Sequence, residues 1–347
     1  MSTLTSYEPL VDRTILRLFQ ELDGRFKNTG LTCPIFSWLQ YYAFDVIGEI
    51  TCGQAFGFLE KGQDVDGIIE ALNNVMDYNA IIGQIPWLDL WLEKNSVWVQ
   101  LKQPTGAIAQ FAHQQLAARL DGSKGALKET RSPQDFVDRF LHAKLTHPEV
   151  VDDKQVFSYM VTNIFAGSDT TAISLRAIVY YTLKHPDVYN KLITELTEAK
   201  KIGQLSMPTT WQESQNLQYF DAVVKEAMRL HPAVGLILER IVPSQGLELE
   251  CGTRLPAGTI VGASPWVVHR DRAVFGDDPD HFRPERWLRS DREDAETYDG
   301  RLRAMTGATM TFGKGHRSCI GKNISLLEIY KMLPSFFLRY DVSAKCN

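Results

Sequence analysis

Cysteine is scarce in this chain, basic excess is missing, and no apolar run approaches the length of a bilayer. Each lack removes a class of function. The five cysteines of the 347 residues stand at 33, 52, 251, 319 and 346, an odd number, widely spaced and without C-x-x-C. That fits a reducing compartment better than a disulfide framework. The net charge of −5 argues against a nucleic-acid binder. No N-terminal leader pattern and no apolar stretch of ~20 residues is present, which by itself reads as soluble. Internal repeats are missing too, and the one Gly/Ser/Lys-rich stretch, 121–132, is short and lies between helical patterns. With 44% apolar and 10% aromatic residues the chain can bury a large core, and it reads as one domain, 1–347, with no internal boundary.

What is present is mainly helical periodicity. Residues 8–27 place Leu10, Val11, Ile15, Leu18, Phe19, Leu22 and Phe26 on one face, and 37–51 is apolar almost all round, as in a buried helix. Further helices are expected over 66–82, 97–120, 135–145 and 217–230. The segment 85–92, with Trp87 and Trp91 among leucines, reads either as a loop tucked into the core or as an interfacial anchor. Short strands are expected over 238–242, 247–251 and 259–261, divided by Gly246, Gly252, Pro256 and Gly258.

The longest helix runs from about 153 to 184 and is closed by His185-Pro186. At 1.5 Å per residue it would span ~45 Å. Phe157, Met160, Val161, Ile164 and Phe165 keep the helical spacing, as do Ile173, Leu175, Ile178 and Val179. Between them stands Ala166-Gly167-Ser168-Asp169-Thr170-Thr171. Five of these residues are poor helix formers, each costing up to ~0.5–1 kcal/mol relative to Ala. A local rule broken in mid-core reads either as a kink or polar patch, or as function. In the functional reading Gly167 lets a flat ligand or O2 approach the backbone, while Asp169 and Thr170 relay protons.

Near the C-terminus, Phe312-Gly313-Lys314-Gly315-His316-Arg317-Ser318-Cys319-Ile320-Gly321 packs three glycines around one cysteine, just before a new helical pattern. A thiolate is favoured where a tight loop feeds a helix N-terminus. A phosphate loop, G-x-x-x-x-G-K-[ST], fails at His316 and at Asn323. A zinc site fails for want of a second Cys/His pair beside His316 and Cys319. An ordinary free cysteine remains open, as does a single soft axial ligand to haem iron with Arg317 near a propionate.

The loop matches F-x-x-G-x-R-x-C-x-G at Phe312, Gly315, Arg317, Cys319 and Gly321, and so resembles the haem-thiolate monooxygenases, the cytochrome P450 family. Three upstream motifs agree in order. Residues 166–171 match the oxygen-binding-helix motif A-G-x-D-T-T. Glu226 and Arg229 match E-x-x-R, and with Pro284-Glu285-Arg286-Trp287 they resemble the family's buried Glu–Arg–Arg clamp. Read alone, the Glu226/Arg229 pair would be an ordinary exposed pair. Arg240 resembles the strand arginine that reaches a haem propionate. Trp266 and Arg270 fit W-x-x-x-R, but stand in the strand region rather than where the family carries its haem-contacting helix.

The resemblance implies a mainly α fold with a small β portion, the cytochrome P450 fold lacking its N-terminal part. It implies haem b held through the iron by Cys319, and electrons from NADPH through NADPH-cytochrome P450 reductase. O2 and a small apolar or aromatic substrate complete the reaction. Asp169 and Thr170 would be catalytic; Arg240, Phe312, Gly315, Arg317, Cys319 and Gly321 would bind the cofactor; Ala166, Gly167 and Thr171 would line the oxygen groove. A basic patch of Lys314, His316, Arg317 and Lys322 would meet an acidic flavoprotein. Residues 38–49 resemble fungal members grouped with pisatin demethylase, which implies secondary metabolism. The family's anchor, first sheet, gating loop and W-x-x-x-R helix would precede residue 1, and its closing hairpin would follow the end. A full-length form is thus expected on the cytosolic face of the endoplasmic reticulum membrane. The present chain carries no anchor and would be cytoplasmic. The competing expectation is a haem-free, non-catalytic remnant.

Overall fold

A computed structural model describes residues 2–27, 29–92, 94–95, 106–121 and 135–343. They fall into two compact units, Met1–Asp169 and Thr170–Asn347.

The first unit is helical. α1 (Glu8–Arg25) carries the expected stripe and buries Leu10, Val11, Ile15, Leu18, Phe19 and Leu22 against α2 (Ile35–Cys52). In α2 most side chains from Trp38 onward are buried, Gln40, Asp45 and Thr51 included, and Gly53 ends the helix at φ +66°, a conformation that favours glycine. Buried Asp45 spends its carboxylate on the N–H groups of Gly57, Phe58 and Leu59, at 2.9, 3.1 and 2.9 Å, so the turn after α2 is pinned to the helix it leaves. α3 (Ile68–Ile82), α4 (Ala107–Leu120) and α5 (Phe136–Thr146) follow. Asp135 caps α5 and holds Arg119 of α4 at 2.6 Å, so these two buried charges answer each other. The helix expected over 97–120 is therefore seen as α4; its first part lies outside the described residues.

Residues 85–92 do not tuck into the core. Pro86–Leu90 forms a short 3-10 turn with no buried side chain, and Trp87 and Trp91 are 65% and 70% exposed. The apolar composition of the segment carries no sign of which side it faces.

α6 (Asp153–Lys184) is continuous through the polar insert. The division between the units falls inside this helix, at 169/170. Ser174, just past the insert, donates its hydroxyl to Thr170 O at 2.9 Å. Gly167 has a packing reason of its own, because a Cβ there would lie 2.7 Å from Ile47 Cδ1 of α2.

The second unit continues with α7 (Pro186–Lys201) and α8 (Gln218–Leu230), then β1 (Leu238–Ile241), β2 (Leu247–Glu248), β3 (Arg254–Leu255) and β4 (Ile260–Ala263). β1 pairs antiparallel with β4, Leu238 opposite Ala263, and β2 pairs with β3. The β2–β3 pairing adds a strand, Arg254–Leu255, that the sequence pattern does not separate. α9 (Ala295–Ala308) and α10 (Lys322–Arg339) complete the unit. α10 buries Leu327 through Phe337 without a break, including Glu328, Lys331 and Ser335.

Candidate active site

The cysteine loop is closed by its backbone. Cys319 N–H donates to Phe312 O at 2.7 Å, and Gly313 N–H donates to Met310 O at 2.9 Å. Gly313 and Gly315 sit at φ +71° and +64°, where a Cβ would strain the chain. The third glycine is under no such strain: Gly321 is at φ −81°, and a Cβ there would meet Cys319 Sγ at an ordinary contact distance, 3.8 Å. The loop thus spends its amide on itself and leaves the thiol exposed and free. Phe312 is half-buried, with the Lys322 ammonium 5.7 Å from its ring centroid.

Two guanidiniums flank the loop. Arg317 is exposed on the short turn Gly315–Arg317, and Arg240 reaches over from β1, its Nη2 3.4 Å from Lys314 O. Lys314 is exposed and donates to the carbonyls of Thr306 and Gly307 at the end of α9. All four residues of the expected basic patch, Lys314, His316, Arg317 and Lys322, are exposed, with Lys314 bonded to those two carbonyls.

The insert of α6 divides its residues by environment. Ala166 is exposed, Gly167, Asp169 and Thr170 are half-buried, and Ser168 and Thr171 are buried. Within the first unit the Asp169 carboxylate accepts from Gln40 Nε2 of α2 at 3.2 Å. Within the second, Thr171 Oγ1 and Ser325 Oγ are 2.9 Å apart, which joins α6 to the first turn of α10, shortly after Cys319. Packing against Ile47 is one reason for glycine at 167.

The charges expected to form a clamp do meet. Glu226 and Arg229 are 0% exposed and pair at 2.8 Å; Arg286 Nε approaches the same carboxylate at 3.2 Å. The pair is therefore not the exposed couple that its i, i+3 spacing alone suggests, because Trp287 Nε1 (2.9 Å) and Arg283 N (3.1 Å) close over it from the downstream segment. Trp266 and Arg270 satisfy each other: the guanidinium lies 4.0 Å from the indole centroid and donates to Trp266 O.

Two buried groups belong to none of the sequence motifs. His269, 0% exposed, bridges Arg229 O and the Met310 amide. Glu328 of α10 is 1% exposed, and among the described residues neither carboxylate oxygen has a hydrogen-bond partner. Burial pushes its pKa well above the usual carboxylate range.

Among the described residues no three His, Cys, Asp or Glu side chains gather into a metal-binding group. A metal at Cys319 would have to bring most of its ligands with it. One free thiol, a half-buried ring and two flanking guanidiniums suit an iron macrocycle with anionic side arms. The cytochrome P450 family model matches residues 1–346. The chain belongs to the cytochrome P450 family. It is similar to the cytochrome P450 monooxygenase cicH of Emericella nidulans, 42% identical over 342 residues, covering 99% of this chain and 66% of that protein. A cytochrome P450 monooxygenase of Aspergillus terreus is 40% identical over 348 residues, covering 99% and 68%. The monooxygenase mpaDE of Penicillium roqueforti is 39% identical over 349 residues, covering 99% and 39%. This P450 chain thus spans about two thirds of the length of the first two relatives and less of the third. No helix among its described residues is long and apolar enough to cross a membrane.

Proposed function

We propose that the protein is a haem-thiolate monooxygenase that inserts one atom of O2 into a small apolar or aromatic substrate of fungal secondary metabolism. What supports this reading is the hydrogen bond between Thr171 and Ser325, 2.9 Å, which sets the helix bearing A-G-x-D-T-T against the helix that the cysteine loop feeds. Cys319 Sγ would hold the iron of haem b, with Arg240 and Arg317 answering its carboxylates and Phe312, Gly315 and Gly321 shaping the loop. When bound, the haem supplies electron-rich iron chemistry for O2 activation, favoured by the thiolate's electron donation.

The chain's own residues move the protons. Thr170 would hold a proton at its hydroxyl, and Asp169, steadied by Gln40, would exchange protons with solvent. Ala166, Gly167 and Thr171 would line the oxygen groove. The Glu226–Arg229–Arg286 clamp is structural. Electrons would come from NADPH through a reductase that docks near His316, Arg317 and Lys322. The exposed Trp87, Leu90 and Trp91 favour a membrane surface, such as the cytosolic face of the endoplasmic reticulum, for the full-length form. One domain carrying all of these motifs is the simplest organisation.

The test supplies the chain with haem, a P450 reductase, NADPH, labelled O2 and a set of aromatic and terpenoid probes. Product carrying one labelled oxygen atom, and none from Cys319→Ala, is expected. Unlabelled product, or label retained in the variant, contradicts the proposal. A chain that takes up no haem is the remnant.

A further inference from the structure

We propose that His269 is a positioning residue that sets the root of the cysteine loop by accepting the Met310 N–H. The functional importance of that loop rests on the reading of Cys319 as the iron ligand; the hydrogen bond itself does not.

His269 follows the short helix Pro265–Val268 and is 0% exposed. Its Nδ1 lies 2.8 Å from Arg229 O. A carbonyl can only accept, so Nδ1 carries the proton, and Nε2 is left with a lone pair. That lone pair faces the Met310 N–H at 2.7 Å. Both ring nitrogens are committed, which fixes one neutral tautomer. Burial and the cations Arg229 and Arg270 also hold its pKa down to about 4.

The ring is braced on one side and reaches out on the other. Arg229 O belongs to the last turn of α8, where carbonyls lack helical partners. The Arg229 guanidinium, fixed by Glu226, returns a bond to His269 O at 2.6 Å. From Met310 onward the loop is backbone-linked: Met310 O accepts Gly313 N–H, and Phe312 O accepts Cys319 N–H. His269 therefore carries the rigidity of the buried ion cluster to the segment that orients the thiol. The other tie from α8 to this segment, Thr311 Oγ1 to Met228 O at 3.4 Å, is long.

Hydrogen exchange of residues 310–319 in the full chain tests this, comparing wild type with His269→Phe, His269→Asn and His269→Gln. Phe keeps the ring volume without either bond. Asn can donate to Arg229 O but is too short for Met310, whereas Gln can reach Met310 with an acceptor. Exchange in this segment should rise about tenfold in the Phe and Asn variants, the factor carried by one hydrogen bond, and remain near wild type in the Gln variant. In the haem-loaded chain the thiolate-type CO band should weaken in the same order. Unchanged exchange in Phe and Asn, or Gln exchanging like Phe, overturns the proposal. Should the Phe variant not fold, Asn against Gln decides. Failure of the ligand reading would appear separately, as a thiolate band that survives Cys319→Ala.

Discussion

Glu226 on α8 and Glu328 on α10 are both hidden from solvent, at 0% and 1% exposure, yet their surroundings are opposite. Glu226 accepts from Arg229 Nε and Nη2 at 2.8 Å each, from Arg286 Nε at 3.2 Å, from Trp287 Nε1 at 2.9 Å and from the Arg283 amide at 3.1 Å. Glu328 accepts from none of the described residues, and burial drives its carboxyl toward the protonated form. Burial alone does not decide what a carboxyl does in this fold. The donors aimed at it decide, and those around Glu226 also hold Arg229, which braces His269.

The largest effect is expected from removing the partnered carboxylate. Glu226→Ala leaves the Arg229 guanidinium, 0% exposed, without its carboxylate, and leaves Arg286, 2% exposed, with Asp278 alone. A loss of about 3–5 kcal/mol is expected in urea unfolding. A loss below about 1 kcal/mol would mean the cluster is not a working network.

Next comes the histidine beside it. His269 has its pKa lowered from 6.5 to about 4, so the unfolded chain binds this proton first. Its contribution is present above pH 6.5 and is lost as pH falls toward 4, in total about 3 kcal/mol. Wild type should therefore lose more stability than His269→Gln between pH 7 and pH 4.5, and equal slopes would contradict a ring kept neutral by burial.

The unpartnered carboxyl should behave in the reverse sense and with smaller amplitude. Its folded pKa is raised well above 4.5, so the stability present below that pH is lost as pH rises. Glu328→Gln should be close to wild type near pH 4 and more stable by about 1–3 kcal/mol at pH 8. A variant less stable at pH 8 would reveal a further partner for the carboxylate.

The same contrast separates what the sequence makes legible from what only the folded chain decides. The ends of α6 are legible because Asp153 begins the apolar spacing and Pro186 forbids its continuation. The conformations of Gly313 and Gly315 follow from residue type. Glu226 and Arg229 look like a surface pair because i, i+3 spacing carries no sign of burial; Arg286 and Trp287, some 60 residues later, decide it. α7 is hidden behind Pro186, which reads as a stop although a first-turn proline also opens a helix. α9, rich in polar residues, shows little periodicity. The side on which Trp87 and Trp91 lie, and the bridge made by His269, depend on chain segments distant in sequence.

The central claim is that the thiol of Cys319, left free by a loop whose backbone bonds to itself, is the iron's protein ligand. The reduced, CO-bound difference spectrum tests it most directly. The account predicts a thiolate-type Soret band in the haem-loaded chain and its complete loss in Cys319→Ala. A band of that type persisting in the variant would contradict it.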